Sequence, residues 1–435
     1  MDNYWLKRYM KILKTLHPAY LISSGLKEFK YVFEKIYFEE ICKEIHILLE
    51  SEWPDKEEVD EFRRELKRLL FDFEIMKIQS YDFEYYMESH FDAIVGYLEK
   101  RERLDYRDFL YFINTFDDIF EYINKKIEKR EINCFTKKKY IFLIKRYFVR
   151  IDKLFSKIEI QKEILIEKEV VLNGFIENQY IVNNNKMLYR FTLEEYDEFL
   201  RVMIGLNVKS QKVEEYLINS MNHIYNYTFV FQIEEWKNMR LKMPVRMIIN
   251  SGTNLMYTKT FNSKFIGKLY FENPKLNENS IEFMHEIYPG HHYSHYLQMK
   301  HFPEYKFLNN LLFEEGWAMF IEYCNCKTRF YERYRKFVLS SLISIYINKY
   351  NMSPTAVYKE ILLRFKSVNI EQYNVKNIIF NTMTNNIQSI YYVLGFEMIY
   401  RYFAERKIDV IDNVSIEKLM INKFKILQKF ELIED

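Results

Sequence analysis

Apolar residues recur at helical spacing through most of the chain. Between Leu26 and Asp72, Phe29, Phe33, Ile36, Ile41, Ile45 and Leu48 fall mostly three to five apart, and Val59, Phe62, Leu66 and Leu69 repeat the pattern. This stretch predicts two amphipathic helices. Pro54 suits the first turn of the second helix, where the N–H it lacks has no partner within the helix. Similar periodicity continues through 75–170, and Thr192 with Glu195 forms a capping box that opens another helix. Residues 1–205 therefore read as a helical N-terminal region.

The pattern changes between about 224 and 275. The runs Asn226 to Phe231, Val245 to Ile249 and Phe265 to Phe271 are rich in β-branched and aromatic residues and predict a small β-sheet. Such a sheet could offer an edge to an extended peptide. Helical periodicity resumes at Ser280, which is placed as an N-cap, and Ser353-Pro354 is placed to start a later helix. Residues 206–435 form the second region.

Composition agrees with a mainly α fold. Of 435 residues, 49% are hydrophobic and 18% aromatic, whereas glycine and proline number only 9 and 7, a balance that favours long helices over strands and turns. The 64 Lys and Arg residues nearly cancel the 62 Asp and Glu and are scattered along helix faces, so nucleic acid is not an expected partner. Cys42, Cys134, Cys324 and Cys326 lack the spacing and density of a disulfide scaffold, which implies a reducing, cytoplasmic home. Cys324 and Cys326 read as core residues. The N-terminal residues show no charged segment followed by an apolar run, and no stretch reaches membrane-spanning length, so neither a leader nor a membrane is expected.

The chemistry concentrates in His285-Glu286-Ile287-Tyr288-Pro289-Gly290-His291-His292. A zinc protease commonly carries HExxH on a helix, where histidines four apart share a face and the intervening glutamate activates the water at the metal. Here position 289 is proline. On a regular helix His285 and His291 lie about 240° apart, whereas His292 shares a face with His285 but sits about 10.5 Å along the axis. Neither pair can share a metal without deformation. Pro289 removes a backbone donor and Gly290 tolerates unusual dihedrals, so a bulge between the histidines is expected. His291 then takes the place of the second ligand, with His292 as the alternative.

A third ligand is expected from a following helix, and Glu315 in Glu314-Glu315-Gly316-Trp317-Ala318 is the natural candidate. Two histidines and a glutamate leave one position open, the arrangement of a catalytic zinc rather than a closed structural one. Glu286 is then the general base. Gly316, inside a helical pattern, predicts close approach of another backbone. Tyr392 is nominated as a hydrogen-bond donor to a developing oxyanion, the group such a peptidase needs opposite its base.

HEIYPGHH followed by EGWAMFIE resembles the paired signature HExxPGHH and EGWALYxE of the bacterial domain-of-unknown-function family 885, a zincin-like, largely helical metallopeptidase group. Gln388, Tyr392 and Gly395 fall where that family carries a PGQALSYxxG-like segment. The resemblance covers the last part of the chain and implies metal ligands at His285, His291 and Glu315, Glu286 as base, Glu322 as a partner behind the metal, and Gln388 or Tyr392 against substrate. The chain departs from the family at Ser294, usually glutamine, and at Ser344-Ile345-Tyr346-Ile347-Asn348, where the family has a DxGxH-like segment. The expectation is a mainly α, zincin-like zinc metallopeptidase with a small sheet near its active site, acting on peptide bonds. A peptidase-like protein that binds a dedicated peptide without turnover, or a metal hydrolase of other amides or esters, is the alternative.

Overall fold

A computed structural model of the chain describes residues 4–23, 31–53 apart from 32 and 34, 57–75, 83–99, 106–128, 147, 197–198, 201, 209–249, 256–258, 267–271, 280–303, 310–350, 352–366, 373–384 and 388–430. Pro54 and the Thr192–Glu195 capping box lie outside the described residues. The chain is mainly helical and divides into two compact units, Met1–Ser51 with Asp72–Met187 and Glu52–Phe71 with Leu188–Asp435. No helix among the described residues is long and apolar enough to cross a membrane.

The first unit contains α1 (Tyr4–Leu16), α2 (Pro18–Ser23) and α3 (Phe38–Glu50). Helix α4 (Glu57–Leu70) belongs to the second unit, and α5 (Phe83–Glu99) and α6 (Tyr106–Glu128) return to the first. Leu16, Ile45, Leu48, Ile94 and Leu98 are fully buried, which explains the helical spacing of α3 and α5. Where helical periodicity predicted a helix from Leu26, residues 31, 33 and 35–37 are not helical. Tertiary hydrogen bonds replace the helical ladder there: Tyr111 Oη donates to the Tyr31 carbonyl at 2.7 Å and Tyr122 Oη to the Ile36 carbonyl at 2.7 Å. Among these helices His90 is buried, with Nε2 3.0 Å from the Thr15 carbonyl and Nδ1 2.6 Å from Tyr31 Oη.

In the second unit, the chain after α7 (Ser210–Ser220) enters a stretch expected to be a strand from Asn226. Only β1 (Val230–Gln232) pairs, in parallel with β5 (Val410–Asp412). Upstream, the backbone is held by phenols instead: the Tyr225 N–H donates to Tyr331 Oη, the Tyr227 N–H to Tyr400 Oη, and Tyr323 Oη donates to both carbonyls. After the short α8 (Trp236–Met239), a three-stranded sheet has the order β2 (Val245–Ile249), β4 (Gly267–Phe271), β3 (Met256–Thr258). Strand β2 runs parallel to β4, and β3 is an antiparallel edge strand with Tyr257 opposite Leu269.

The site elements follow as α9 (Ile281–Glu286), α10 (His291–His301), α11 (Leu311–Asn325) and α12 (Lys327–Asn348), then α13 (Pro354–Arg364), α14 (Val375–Thr384), α15 (Gln388–Glu405), α16 (Asn413–Ile421) and α17 (Lys423–Lys429). Ser280 caps α9 by accepting the Phe283 N–H at 3.2 Å, and Ser353 caps α13 with Pro354 in its first turn, both as the sequence predicts. Helix α11 is the core of the unit: Trp317 through Ile321, more than one full turn of apolar residues, are fully buried. Its start is tied to α4, because Asn310 caps α11 through Oδ1 and donates from Nδ2 to Glu61 at 2.6 Å.

Helices α11 and α15 meet backbone to backbone. A Cβ on Gly316 would lie 2.2 Å from the Gly395 carbonyl carbon, and one on Gly395 would lie 1.9 Å from the Leu312 carbonyl oxygen. Both glycines are therefore required by space, which brings α11 and α15 to near-contact and sets Glu315 and Tyr392 side by side. Cys42 is buried, but Cys324 is only partly so and Cys326 is exposed, contrary to the core positions expected for the pair. The reason is local: Cys326 sits at the break between α11 and α12, where the chain leaves the packed face.

Candidate metal centre

The motif does not bulge within one helix; it breaks into two. Helix α9 stops at Glu286 and α10 begins at His291, with Tyr288-Pro289 in the cis form between them. Proline cannot donate the next helical bond, so the turn takes up the two residues that separate this spacing from HExxH. Gly290 is fixed by space: a Cβ there would lie 1.8 Å from the His285 carbonyl oxygen. The turn is pinned from α11, where Trp317 Nε1 donates to the Pro289 carbonyl at 2.7 Å. Around it, Asn413 donates to Tyr288 Oη and Tyr293 Oη at 3.3 and 2.9 Å.

This break turns His291 back toward His285. Their rings meet edge to face with centroids 4.9 Å apart, and both Nε2 atoms face Glu315 Oε2, at 3.9 Å from His285 and 3.4 Å from His291. The three ligand atoms lie within 4.8 Å of one another, an arrangement that could hold a metal ion. Bonds of about 2.0–2.1 Å in tetrahedral geometry place ligand atoms about 3.3 Å apart. The two distances to Glu315 already approach that value.

Two observations test whether the donors fit a cation. Glu315 Oε2 is buried yet accepts no well-formed hydrogen bond, a costly state for a carboxylate oxygen unless a cation satisfies it. His285 is also set for ligation: its Nδ1 lies 2.6 Å from Glu322 Oε1, so the ring donates there and presents Nε2 as a lone pair. Glu322 is fully buried, and Arg333 donates to the same oxygen. Arg333 was not anticipated from the sequence; no spacing rule links it to a motif on other helices.

The electrostatics follow from the crowding of carboxylates and imidazoles. Burial disfavours charge on His291, but Glu315, Glu286 and Glu314 together hold its pKa up at about 9. Burial likewise pushes Glu315 up, yet His291 and His285 outweigh it and keep this carboxyl below the usual range. Burial together with the Glu315 and Glu286 charges lifts the Tyr392 phenol well above 10. It stacks on Phe337 with centroids 4.1 Å apart, which fixes the ring plane. The Gln388 side chain lies outside the described part of the structure.

Glu286 reaches the same space from α9. Its Oε1 is 4.0 Å from His285 Nε2, while Oε2 accepts the Tyr257 backbone N–H from β3 at 3.0 Å. That bond occupies the outward-facing amide of the edge strand at Tyr257, so the edge is closed to a peptide at this position. His292 is outside the cluster: its Nε2 contacts the Met243 carbonyl and its Nδ1 the Tyr257 hydroxyl, each at 2.9 Å. Burial lowers its pKa to about 4, which keeps it neutral. Ser344 and Asn348, in the segment that departs from the 885 family pattern, are buried in α12, where Asn348 Nδ2 donates to the Ser344 carbonyl at 2.9 Å.

No family model matches the chain, and no curated protein matches it. Among solved structures, it is similar to a "putative lipoprotein of unknown function" from Shewanella oneidensis, with a TM-score of 0.57 and 12% sequence identity over 98% of both chains. A "putative lipoprotein" from Colwellia psychrerythraea aligns with a TM-score of 0.35 and 13% identity over 90% of this chain and 74% of its own. At such identity, the likeness to the Shewanella protein shows a shared fold alone.

Proposed function

We propose that the chain is a zincin-like, zinc-dependent hydrolase of peptide bonds, its metal held by His285, His291 and Glu315. The observation that carries this reading is the convergence of those three ligand atoms, with Glu286 on one side and Glu322 behind His285. Two imidazoles and one carboxylate leave a coordination position open, the donor set of hydrolytic zinc sites. Zinc in such a site supplies Lewis-acid polarisation of the scissile carbonyl and of the attacking water.

The roles of the chain's own groups follow from geometry. Glu286 Oε2 is engaged by the Tyr257 amide, so Oε1, the oxygen nearer His285 Nε2, takes the proton from water and returns it to the leaving amine. The Tyr392 hydroxyl, on a ring fixed by stacking on Phe337 and under the influence of the Glu315 charge, is the donor for charge developing on the carbonyl oxygen. Glu322 keeps His285 in the tautomer that leaves Nε2 free.

A library of quenched fluorescent peptides tests the activity. The wild type is expected to cleave a subset, and Glu286→Ala to lose at least about 100-fold in rate, the usual contribution of a general base, while retaining zinc. Equal cleavage by wild type and Glu286→Ala would refute the reading.

A further inference from the structure

The mechanism uses Tyr257 only through its backbone amide and leaves the Tyr257 side chain, His292 and Gly267 without a role. They form one continuous contact. The Met243 carbonyl can only accept, so His292 Nε2 carries the hydrogen and Nδ1 accepts from the Tyr257 hydroxyl, each contact being 2.9 Å. The imidazole thus clamps Tyr257 to the turn that precedes β2. Tyr257 in turn donates its backbone N–H to Glu286 Oε2 at 3.0 Å. Among the described residues it lies in a three-residue strand that pairs with β4 only, and so short a ladder fixes it weakly.

Gly267, across the sheet in β4, makes room for this contact. A Cβ there would lie 2.6 Å from His292 Nδ1 and 2.7 Å from the Tyr257 ring. Both rings are held by hydrogen bonds and cannot simply swing aside. The glycine is therefore matched to the clamp, and a methyl at 267 would push the pair apart without removing any polar group.

We propose that His292, the second histidine of the pair, is a positioning residue that acts through Tyr257: it fixes the backbone amide that holds one oxygen of Glu286 and leaves the other turned toward the ligand atoms. The proposal rests on the reading of Glu286 as general base. In its absence, β3 shifts, the Tyr257 amide leaves Glu286, and the carboxylate samples orientations that do not face the attacking water.

His292→Ala, Tyr257→Phe and Gly267→Ala test this, with circular dichroism to verify folding. Each is expected to retain about one zinc per chain and an unchanged KM on a quenched peptide cleaved by the wild type, while kcat falls about 10- to 100-fold, the usual effect of losing a supporting partner behind an active group. Tyr257→Phe, the least disruptive, keeps the test valid if His292→Ala fails to fold. Amide exchange by mass spectrometry over 256–258 reads the clamp without turnover: the Tyr257 amide should exchange at least about 10-fold faster in His292→Ala and Glu286→Ala. Loss of zinc from folded His292→Ala, or equal protection of the amide in wild type and His292→Ala, overturns the proposal. If the wild type cleaves no peptide, the proposed function falls while the exchange experiment still decides the role of His292.

Discussion

Replacing Glu322 probes the centre from behind. Its carboxylate is fully buried, and its Oε1 receives His285 Nδ1 at 2.6 Å together with the Arg333 guanidinium. Glu322→Gln preserves shape and an acceptor oxygen but removes the charge, and charge-assisted bonds are about twice as strong as neutral ones. Glu322→Ala removes both acceptors, leaves His285 Nδ1–H without a partner and frees the ring to rotate. Loss of such a partner costs about 10- to 100-fold in metal affinity, or about 1.4–2.7 kcal/mol. Glu322→Gln is therefore expected near the lower value and Glu322→Ala near the upper. Competition with a fluorescent zinc chelator measures both, with circular dichroism to exclude unfolding. A folded Glu322→Ala that binds zinc as tightly as the wild type would refute the argument that Glu322 orients His285.

Three further outcomes follow from the packing and the buried groups. Gly316→Ala places a Cβ 2.2 Å from the Gly395 carbonyl carbon; with backbone on both sides the cost should reach the upper end of about 1–3 kcal/mol, and a fall of about 6–12 °C in the melting temperature of the second unit is expected by calorimetry. Trp317→Phe strands the buried Pro289 carbonyl at a cost of about 1–3 kcal/mol and, by loosening the turn between the histidines, should weaken zinc binding in the same chelator assay. His90, lowered from 6.5 to about 3 by burial, binds its proton in the unfolded chain first. Its contribution is thus complete above pH 6.5 and is lost at about 1.4 kcal/mol per pH unit as pH falls toward 3. Urea unfolding at pH 7 and pH 5 should show a loss in the wild type that exceeds the loss in His90→Gln by about 2 kcal/mol.

What was legible in the sequence was local. Ser280 and Ser353 cap the helices expected of them because a side-chain oxygen and an orphan N–H three residues on suffice to make the cap. Gly316 pointed to a close backbone because little else explains glycine in a buried helix, although its partner Gly395 could not be named. The Pro289-Gly290 pair signalled deformation, but its extent was underestimated. A bulge conserves one helix axis, whereas Trp317 and the Gly290 contact with His285 stabilise a complete break.

The misreadings share a cause. The helix expected through Phe33 and Ile36 and the strand expected from Asn226 are replaced by irregular backbone bonded to tyrosine hydroxyls from distant helices. With 37 tyrosines, this chain can satisfy backbone groups by tertiary contacts that no periodicity encodes. The same holds at the site. Arg333 and Tyr257 reach it from elements without any motif, and the choice between His291 and His292 depends on a turn whose direction is set by α11 and β3.

His285, His291 and Glu315 are proposed to bind one catalytic metal ion. Zinc titration of the metal-free protein by calorimetry tests it most directly, comparing the wild type with His291→Ala and Glu315→Ala. About one tight site per chain is expected in the wild type, and its loss in both variants. A wild type that takes up no zinc, or a variant that binds it with unchanged affinity, would rule out this ligand set.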